Sequence, residues 1–210
     1  MDDTTSLVVA ETLNRWALVV HVGLIATLLV VNFVLWLGSR RETILTWVFA
    51  WSANLLALVA LLGGTVVSAD PAWIVLFCPT KMVFGLLMVR GIMMFKRDRL
   101  AMFHLSRNWA VVASLVFCLL LMALPTVYHL SITFLSVGLV LTFGALFSGL
   151  RIDMNDAWFL VAASVFSGLI LFHHGLRLMP DGLGISSLPF AGSLFFLDVF
   201  GEFLIGLCCL

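Results

Sequence analysis

Residues 16–37 read WALVVHVGLIATLLVVNFVLWL, a run that contains no aspartate, glutamate, lysine or arginine. A helix needs about 20 mostly apolar residues to cross the hydrocarbon core of a bilayer. A run of this length and composition is typical of a transmembrane helix. The stretch therefore predicts that the chain is embedded in a membrane.

The same pattern recurs along the whole chain of 210 residues. Hydrophobic residues make up 63% of the sequence and charged residues only 10%, whereas soluble domains have about 45–50% and about 25%. This composition excludes a water-soluble fold and predicts an all-α polytopic membrane protein, a bundle of seven transmembrane helices. The predicted helices cover residues 16–37, 44–67, 72–95, 108–124, 130–150, 157–178 and 190–210.

Lysine and arginine are distributed unevenly between the predicted loops. Cytoplasmic loops carry the excess of these residues, and the opposite side of the bundle offers only Arg15 and Arg177. We therefore expect the N-terminus outside the cytoplasm and the C-terminus at the cytoplasmic face. Residues 1–15 are then an extracytoplasmic segment, and its stretch Ser6–Arg15 is either an amphipathic lead-in on the outer surface or an extension of helix one. The basic residues of loops one, three and five are Arg40, Arg41, Lys96, Arg97, Arg99, Arg107 and Arg151.

Small residues four apart occur on predicted helices five and six. Such residues let two helices approach closely in lipid, where no hydrophobic drive brings them together. Helices five and six are therefore predicted to form a tight pair. The residues are Gly138, Thr142, Gly144, Ser148 and Gly149 on helix five, and Ala163, Ser164, Ser167 and Gly168 on helix six.

Three ionisable residues fall at a similar depth inside the predicted helices. They are Lys81 on helix three, and Asp198 and Glu202 on helix seven. Charged groups in the bilayer core are costly, and they usually pair with one another or mark a functional site. We expect Lys81 to pair with one of the two carboxylates, which share a helical face. The pair is either a static link between the helices or a centre that responds to a proton or ligand, and Asn54 on helix two could line it.

Histidines collect in the outer half of the predicted bundle. His21 lies on helix one, and His173 and His174 lie near the outer end of helix six. Imidazoles at matched depth on two helices can ligate a haem b or a metal ion, so these residues are a candidate cofactor site. Hydrogen bonding or sensing of the outer pH is the preferred interpretation, and it requires no cofactor. Candidate supporting residues are Arg177, Asn32 and His129.

Signatures of soluble enzymes are absent from the sequence. It contains no phosphate-binding glycine-rich loop, GxSxG nucleophile motif, HExxH zinc motif or acidic calcium loop. We therefore predict that the chain is not an enzyme, and we assign no catalytic residues. The formal net charge of zero gives no general attraction for nucleic acid, and the lipid bilayer is the expected partner.

Four segments carry a resemblance to a known class of membrane region. They read TWVFA at 46–50, DPAW at 70–73, GIMMFKR at 91–97 and FLDVFGEFLIG at 196–206. Together they resemble the N-terminal multi-helix membrane sensor regions of bacterial diguanylate cyclases and sensor histidine kinases. The resemblance implies a bacterial inner (plasma) membrane location and a last helix that leads into a cytoplasmic output domain. The sequence stops at Leu210 without such a domain, so we expect a piece of a longer receptor or a module that acts through a partner subunit.

The main functional hypothesis is a membrane-embedded sensory module that passes a stimulus to a cytoplasmic output through helix seven. A haem- or metal-binding membrane subunit that uses the outer histidines is one alternative. A small proton-coupled transporter, or a structural accessory subunit of a membrane complex, is the other.

Overall fold

The computed structural model describes residues 3–66, 71–95, 107–150, 158–179 and 193–208. These residues form seven α-helices, together with one short 3₁₀ turn at Thr126–Tyr128. The helices are α1 Asp3–Ser39, α2 Glu42–Val66, α3 Pro71–Phe95, α4 Arg107–Met122, α5 His129–Leu150, α6 Trp158–Arg177 and α7 Ser193–Cys208.

Five of these helices are long and apolar enough to cross a membrane. This confirms an all-α bundle of membrane character. α4 and α7 have 16 residues each, and at about 1.5 Å per residue each spans about 24 Å, less than a hydrocarbon core of about 30 Å. The count of seven spans and the orientation of the termini stay predictions. The five candidate spans are Trp16–Ser39, Glu42–Gly64, Ala72–Met94, Thr126–Ser148 and Trp158–Arg177.

The backbone of α1 is helical from Asp3 onward, well before the predicted boundary at residue 16. No proline or glycine interrupts residues 3–22, so nothing in that stretch stops the helix. Of the two interpretations of Ser6–Arg15, the structure favours the extension of helix one. His21 therefore lies near the middle of a helix of 37 residues.

Six helices close a ring in the order α1, α2, α3, α5, α6, α7, with α7 packed back on α1. α4 stands beside this ring and packs on α3. Within the ring, α3 and α7 occupy opposite positions. Fully buried side chains from several helices fill the interior, and they include Ile25, Trp51, Phe84, Met88, Leu141 and Ile205.

The predicted tight pair of helices is confirmed by the contact between α5 and α6. A Cβ atom added at Gly138 would lie 2.5 Å from the backbone nitrogen of Phe172, and one added at Gly168 would meet the Thr142 hydroxyl. Gly144 was predicted to lie in the contact with α6, but it packs against α3. A Cβ added at Gly144 would lie 2.5 Å from Val89 of α3. The small residues of α5 therefore serve two neighbours rather than one.

Pro79 lies inside α3 and explains how α4 meets that helix. Proline has no N–H, so the carbonyl of Val75 one turn earlier loses its helical hydrogen bond. The Cys118 thiol of α4 lies 4.0 Å from this oxygen and donates to it. A proline is tolerated in a membrane helix where neighbouring groups satisfy the freed carbonyl, and here a second helix supplies the donor.

Candidate functional site

Lys81 and Glu202 form the centre of the site. Lys81 Nζ donates a hydrogen bond to Glu202 Oε1 at 2.6 Å, and the two side chains are 1% and 0% exposed. The ion pair thus joins α3 to α7 across the interior of the ring. Of the two carboxylates that the sequence offers, Glu202 is the one that the structure joins to Lys81. The side chain of Asp198 lies outside the described residues.

Asn54 of α2 bridges both charged groups. Its Oδ1 accepts a hydrogen bond from Lys81 Nζ at 2.8 Å, and its Nδ2 donates to Glu202 Oε2 at 2.6 Å. The amide therefore offers an acceptor to the cation and a donor to the anion. The oxygen and nitrogen of an asparagine amide are similar in shape and are told apart by their hydrogen-bond partners. Here the cation on one side and the carboxylate on the other determine which way the amide points.

His21 of α1 completes the site. Its Nε2 lies 2.8 Å from Glu202 Oε2, so Nε2 carries a proton and donates to the carboxylate. We call His21, Asn54, Lys81 and Glu202 the Glu202 cluster.

The Glu202 cluster is electrically balanced and shielded from solvent. One ammonium faces one carboxylate, and all four side chains are no more than 1% exposed. The carboxylate accepts from three side chains, while Lys81 Nζ also lies 5.2 Å from the centre of the Phe84 ring. Buried charges are tolerated where paired and hydrogen-bonded, and removal of one partner from such a pair costs about 3–5 kcal/mol. The arrangement can hold four helices together, or release them if the pairing changes.

The other candidate residues are placed elsewhere. His174 packs against Phe134 of α5, with ring centroids 6.0 Å apart. His129 is buried, and its Nε2 donates to the carbonyl of Leu124 at 3.0 Å, which fastens the connection between α4 and α5. His173 and Arg177 are partly exposed near the end of α6.

Asn32 is fully buried on α1. Its Nδ2 donates to the carbonyl of Leu28 on the same helix, at 2.9 Å. It lies eleven residues beyond His21 along α1, about 16 Å at the rise of an α-helix. Asn32 is therefore a neighbour of the Glu202 cluster along α1 rather than a member of it.

The contacts described for two of the proposed cofactor ligands lead to different neighbours. His21 Nε2 is used by Glu202, whereas His174 lies against α5. In the part of the chain that the structure describes, no group of three or more His, Cys, Asp or Glu side chains is arranged to hold a metal ion. The donor set of the Glu202 cluster, with its lysine, suits an internal ion pair rather than a metal.

A second ionic contact was not singled out from the sequence. Arg90 of α3 is 8% exposed, and its Nη2 lies 3.5 Å from Oε1 of Glu42. Glu42 is the first residue of α2, so this contact joins α2 to the end of α3. A signal was available, because an arginine inside a predicted span needs an anionic or polar partner.

Comparison of the chain with models of protein families, with curated proteins and with solved structures finds no match. The functional argument therefore rests on the geometry of the Glu202 cluster.

Proposed function

We propose that this chain is a membrane-embedded sensory module that transmits a stimulus through α7. The observation that carries the proposal is that Glu202 of α7 is hydrogen-bonded to α1, α2 and α3 at once. A change of charge or hydrogen bonding at this one carboxylate alters the contacts of α7 with three other helices. The resemblance of residues 196–206 to the last helix of bacterial sensor regions supports the same role for α7.

The proposed topology has seven spans, with the N-terminus outside and the C-terminus in the cytoplasm. It is supported by the uneven distribution of lysine and arginine and by the apolar residues that flank the two short helices. Single cysteines at Ser39, the last residue of α1, and at Ala123, which directly follows α4, test it. We expect an impermeant maleimide to label Ser39→Cys from the cytoplasmic side and Ala123→Cys from the outside; labelling of both from one side would contradict the topology.

Small residues on α7 leave room for the movement that the mechanism requires. Gly201 lies against Ser167 of α6, and Gly206 lies against Leu28 of α1. Neither glycine presents a side chain that interlocks with its neighbour. The Glu202 cluster is then the main specific link between α7 and the α1–α3 side of the ring, and its opening frees α7 to shift.

A cross-linking experiment tests this mechanism. In a chain without native cysteines, Leu28→Cys and Gly206→Cys place two thiols at the contact between α1 and α7. We expect rapid disulfide formation with mild oxidant, and a several-fold slower reaction when Lys81→Met is added. Free thiols are counted with a maleimide-polyethylene glycol shift after denaturation.

A second cysteine pair shows whether the bundle remains intact. A Cβ at Gly85 of α3 would lie 3.8 Å from the Val137 Cβ of α5, which suits a disulfide. Gly85→Cys with Val137→Cys should cross-link equally well with and without Lys81→Met. If Lys81→Met leaves the α1–α7 rate unchanged, the proposed link between the Glu202 cluster and α7 is wrong.

A small proton-coupled transporter is the second candidate, because buried carboxylates inside membrane bundles also serve as proton relays. The purified protein in liposomes discriminates between the two. The sensory proposal expects a pH gradient to decay no faster than in protein-free liposomes. Decay that is faster and is abolished by Glu202→Gln would assign the carboxylate to transport instead.

A further inference from the structure

Arg40 directly follows α1 and has a backbone conformation that arginine rarely adopts. Its φ of 54° lies in the left-handed region, which residues other than glycine occupy only at a cost in free energy. Its N–H donates to the carbonyl of Trp36 at 2.7 Å, the hydrogen bond with which a left-handed residue, usually glycine, closes a helix. An arginine at a position that favours glycine points to a use for its side chain beyond ending the helix.

The side chain of Arg40 stacks on the lipid-facing end of α1. Its Cζ lies 4.8 Å from the centre of the Trp36 ring. Stacking occupies the flat face of a guanidinium, whereas its five N–H donors lie along the edge as a planar fork that matches a phosphate or a carboxylate. Among the described residues, none accepts a hydrogen bond from this fork or forms an ion pair with it. The donors of Arg40 are therefore available to a ligand.

Arg41 places a second guanidinium at the same junction between α1 and α2. Both arginines are exposed, and within the described ranges neither forms an ion pair with a carboxylate. The acid that follows them in the chain, Glu42, lies 3.5 Å from Arg90 of α3, so its charge is already engaged by another cation. The junction therefore has two positive charges for an external anion to neutralise.

An apolar surface on α1 adjoins these charges. Phe33 and Leu37 are exposed, and the Phe33 ring centroid is 5.7 Å from that of Trp36. The candidate span of α1 ends at Ser39, so Arg40 lies where hydrocarbon meets the lipid headgroups, a level at which tryptophan is enriched. The surface extends from acyl-chain depth to headgroup depth, which fits an amphiphile rather than a soluble anion.

We propose that an anionic phospholipid binds at the end of α1, in a site formed by Phe33, Trp36, Arg40 and Arg41. The Arg40 fork donates two hydrogen bonds to the lipid phosphate, as arginine does in bidentate phosphate recognition. Arg41 contributes the second positive charge, and the two aromatic rings contact the acyl chains. A zwitterionic lipid fits less well, because its amine brings a positive charge toward two arginines. This inference goes beyond the proposed sensory role and does not depend on it.

Lipid affinity can be measured on the purified chain in a neutral detergent by native mass spectrometry of the first bound lipid. The probes are phosphatidylglycerol and phosphatidylcholine with identical acyl chains. Arg40→Gly is the main variant, because glycine removes the charge and also relieves the left-handed backbone. We expect it to weaken phosphatidylglycerol binding at least about tenfold, more than the roughly fivefold that general attraction of one basic residue to an anionic surface supplies.

The melting temperature of the lipid-free protein separates binding from folding. Arg40→Gly should not lower it, since glycine suits the backbone at this position. A lower melting temperature with unchanged lipid affinity would assign Arg40 to the fold and overturn the inference. Arg41→Gln, which leaves the backbone at Arg40 as it is, should also weaken phosphatidylglycerol binding.

Two further variants distinguish a built site from general charge attraction. Arg177→Gln removes a matched charge at the end of α6 and should leave phosphatidylglycerol affinity nearly unchanged. Trp36→Leu keeps the net charge and should weaken binding several-fold, because the Arg40 guanidinium loses the ring on which it stacks. Equal losses in Arg40→Gly and Arg177→Gln, full affinity in Trp36→Leu, or equal affinity for the two lipids would overturn the inference. Displacement of the lipid by excess inorganic phosphate would do so as well, since the ligand would then be a soluble anion.

Discussion

Lys81 Nζ and Glu202 Oε1 lie 2.6 Å apart and connect α3 with α7, two helices on opposite sides of a ring of six. Neither side chain reaches solvent, and both are held by Asn54 of α2. A contact that crosses the interior couples helices that do not otherwise adjoin in the ring. This is why we expect its loss to affect the whole bundle rather than one interface.

Removal of the Lys81 ammonium alone should strongly destabilise the protein. Lys81→Met leaves the Glu202 carboxylate buried without its counter-ion, so we expect the free energy of unfolding in detergent to fall by about 3–5 kcal/mol. The double variant Lys81→Met with Glu202→Gln should recover a substantial part of this loss, because no unpaired charge remains. A double variant as unstable as Lys81→Met alone would contradict the electrostatic explanation.

The contact between Glu42 and Arg90 provides a matched control. Its N–O distance is 3.5 Å, and the Glu42 side chain is 54% exposed. Because the Glu42 carboxylate is half-exposed and its contact is long, Glu42→Gln should lower the unfolding free energy by less than Lys81→Met, which leaves a fully buried carboxylate without its counter-ion. A loss as large as that of Lys81→Met would show that burial does not set the cost.

The hydrogen bond from His21 to Glu202 can be separated experimentally from the packing of the His21 ring. His21→Ala should lower the unfolding free energy by about 0.5–2 kcal/mol, the span of values for hydrogen bonds between membrane helices. His21→Gln retains a donor of similar reach and should lose less. Identical losses in the two variants would mean that His21 acts by packing and not by its hydrogen bond to Glu202.

The seam between α5 and α6 should not tolerate a methyl group. Gly138→Ala drives its Cβ into the backbone of α6, and such overpacking costs about 1–3 kcal/mol. Gly23→Ala on α1 is the control, since nothing lies within 4 Å of its Cβ position. There the better helix propensity of alanine should raise stability by about 0.5–1 kcal/mol. Thermal unfolding of both variants measures the difference.

The thiol of Cys118 should matter only while Pro79 is present. Pro79→Ala restores the N–H that bonds the Val75 carbonyl, and the donor from α4 then becomes redundant. In a double-mutant cycle, Cys118→Ala should reduce stability in the native background by about 0.5–1 kcal/mol and have a smaller effect beside Pro79→Ala. Additive effects would show that the contact does not compensate for the proline.

Local properties of the chain determined a large part of this fold. The apolar runs decided the helices, since about 20 such residues have no other stable state in a bilayer. Lys81 required a carboxylate at its own depth, and only Asp198 and Glu202 on α7 offered one. The glycines of α5 and α6 indicated their close approach.

Tertiary structure alone decided which of these groups meet. The contact of His21 with Glu202 on α7 depended on the order of the helices around the ring. Gly144 packs against α3 rather than α6. The Cys118 thiol donates to the Val75 carbonyl, which Pro79 leaves without its helical hydrogen bond. The sequence shows which residues are hydrophobic and where each lies along its own helix. How each helix is rotated, and which helices it contacts, depends on the simultaneous packing of all the helices. The Glu202 cluster is a product of that packing, drawn from residues up to 181 positions apart in the chain.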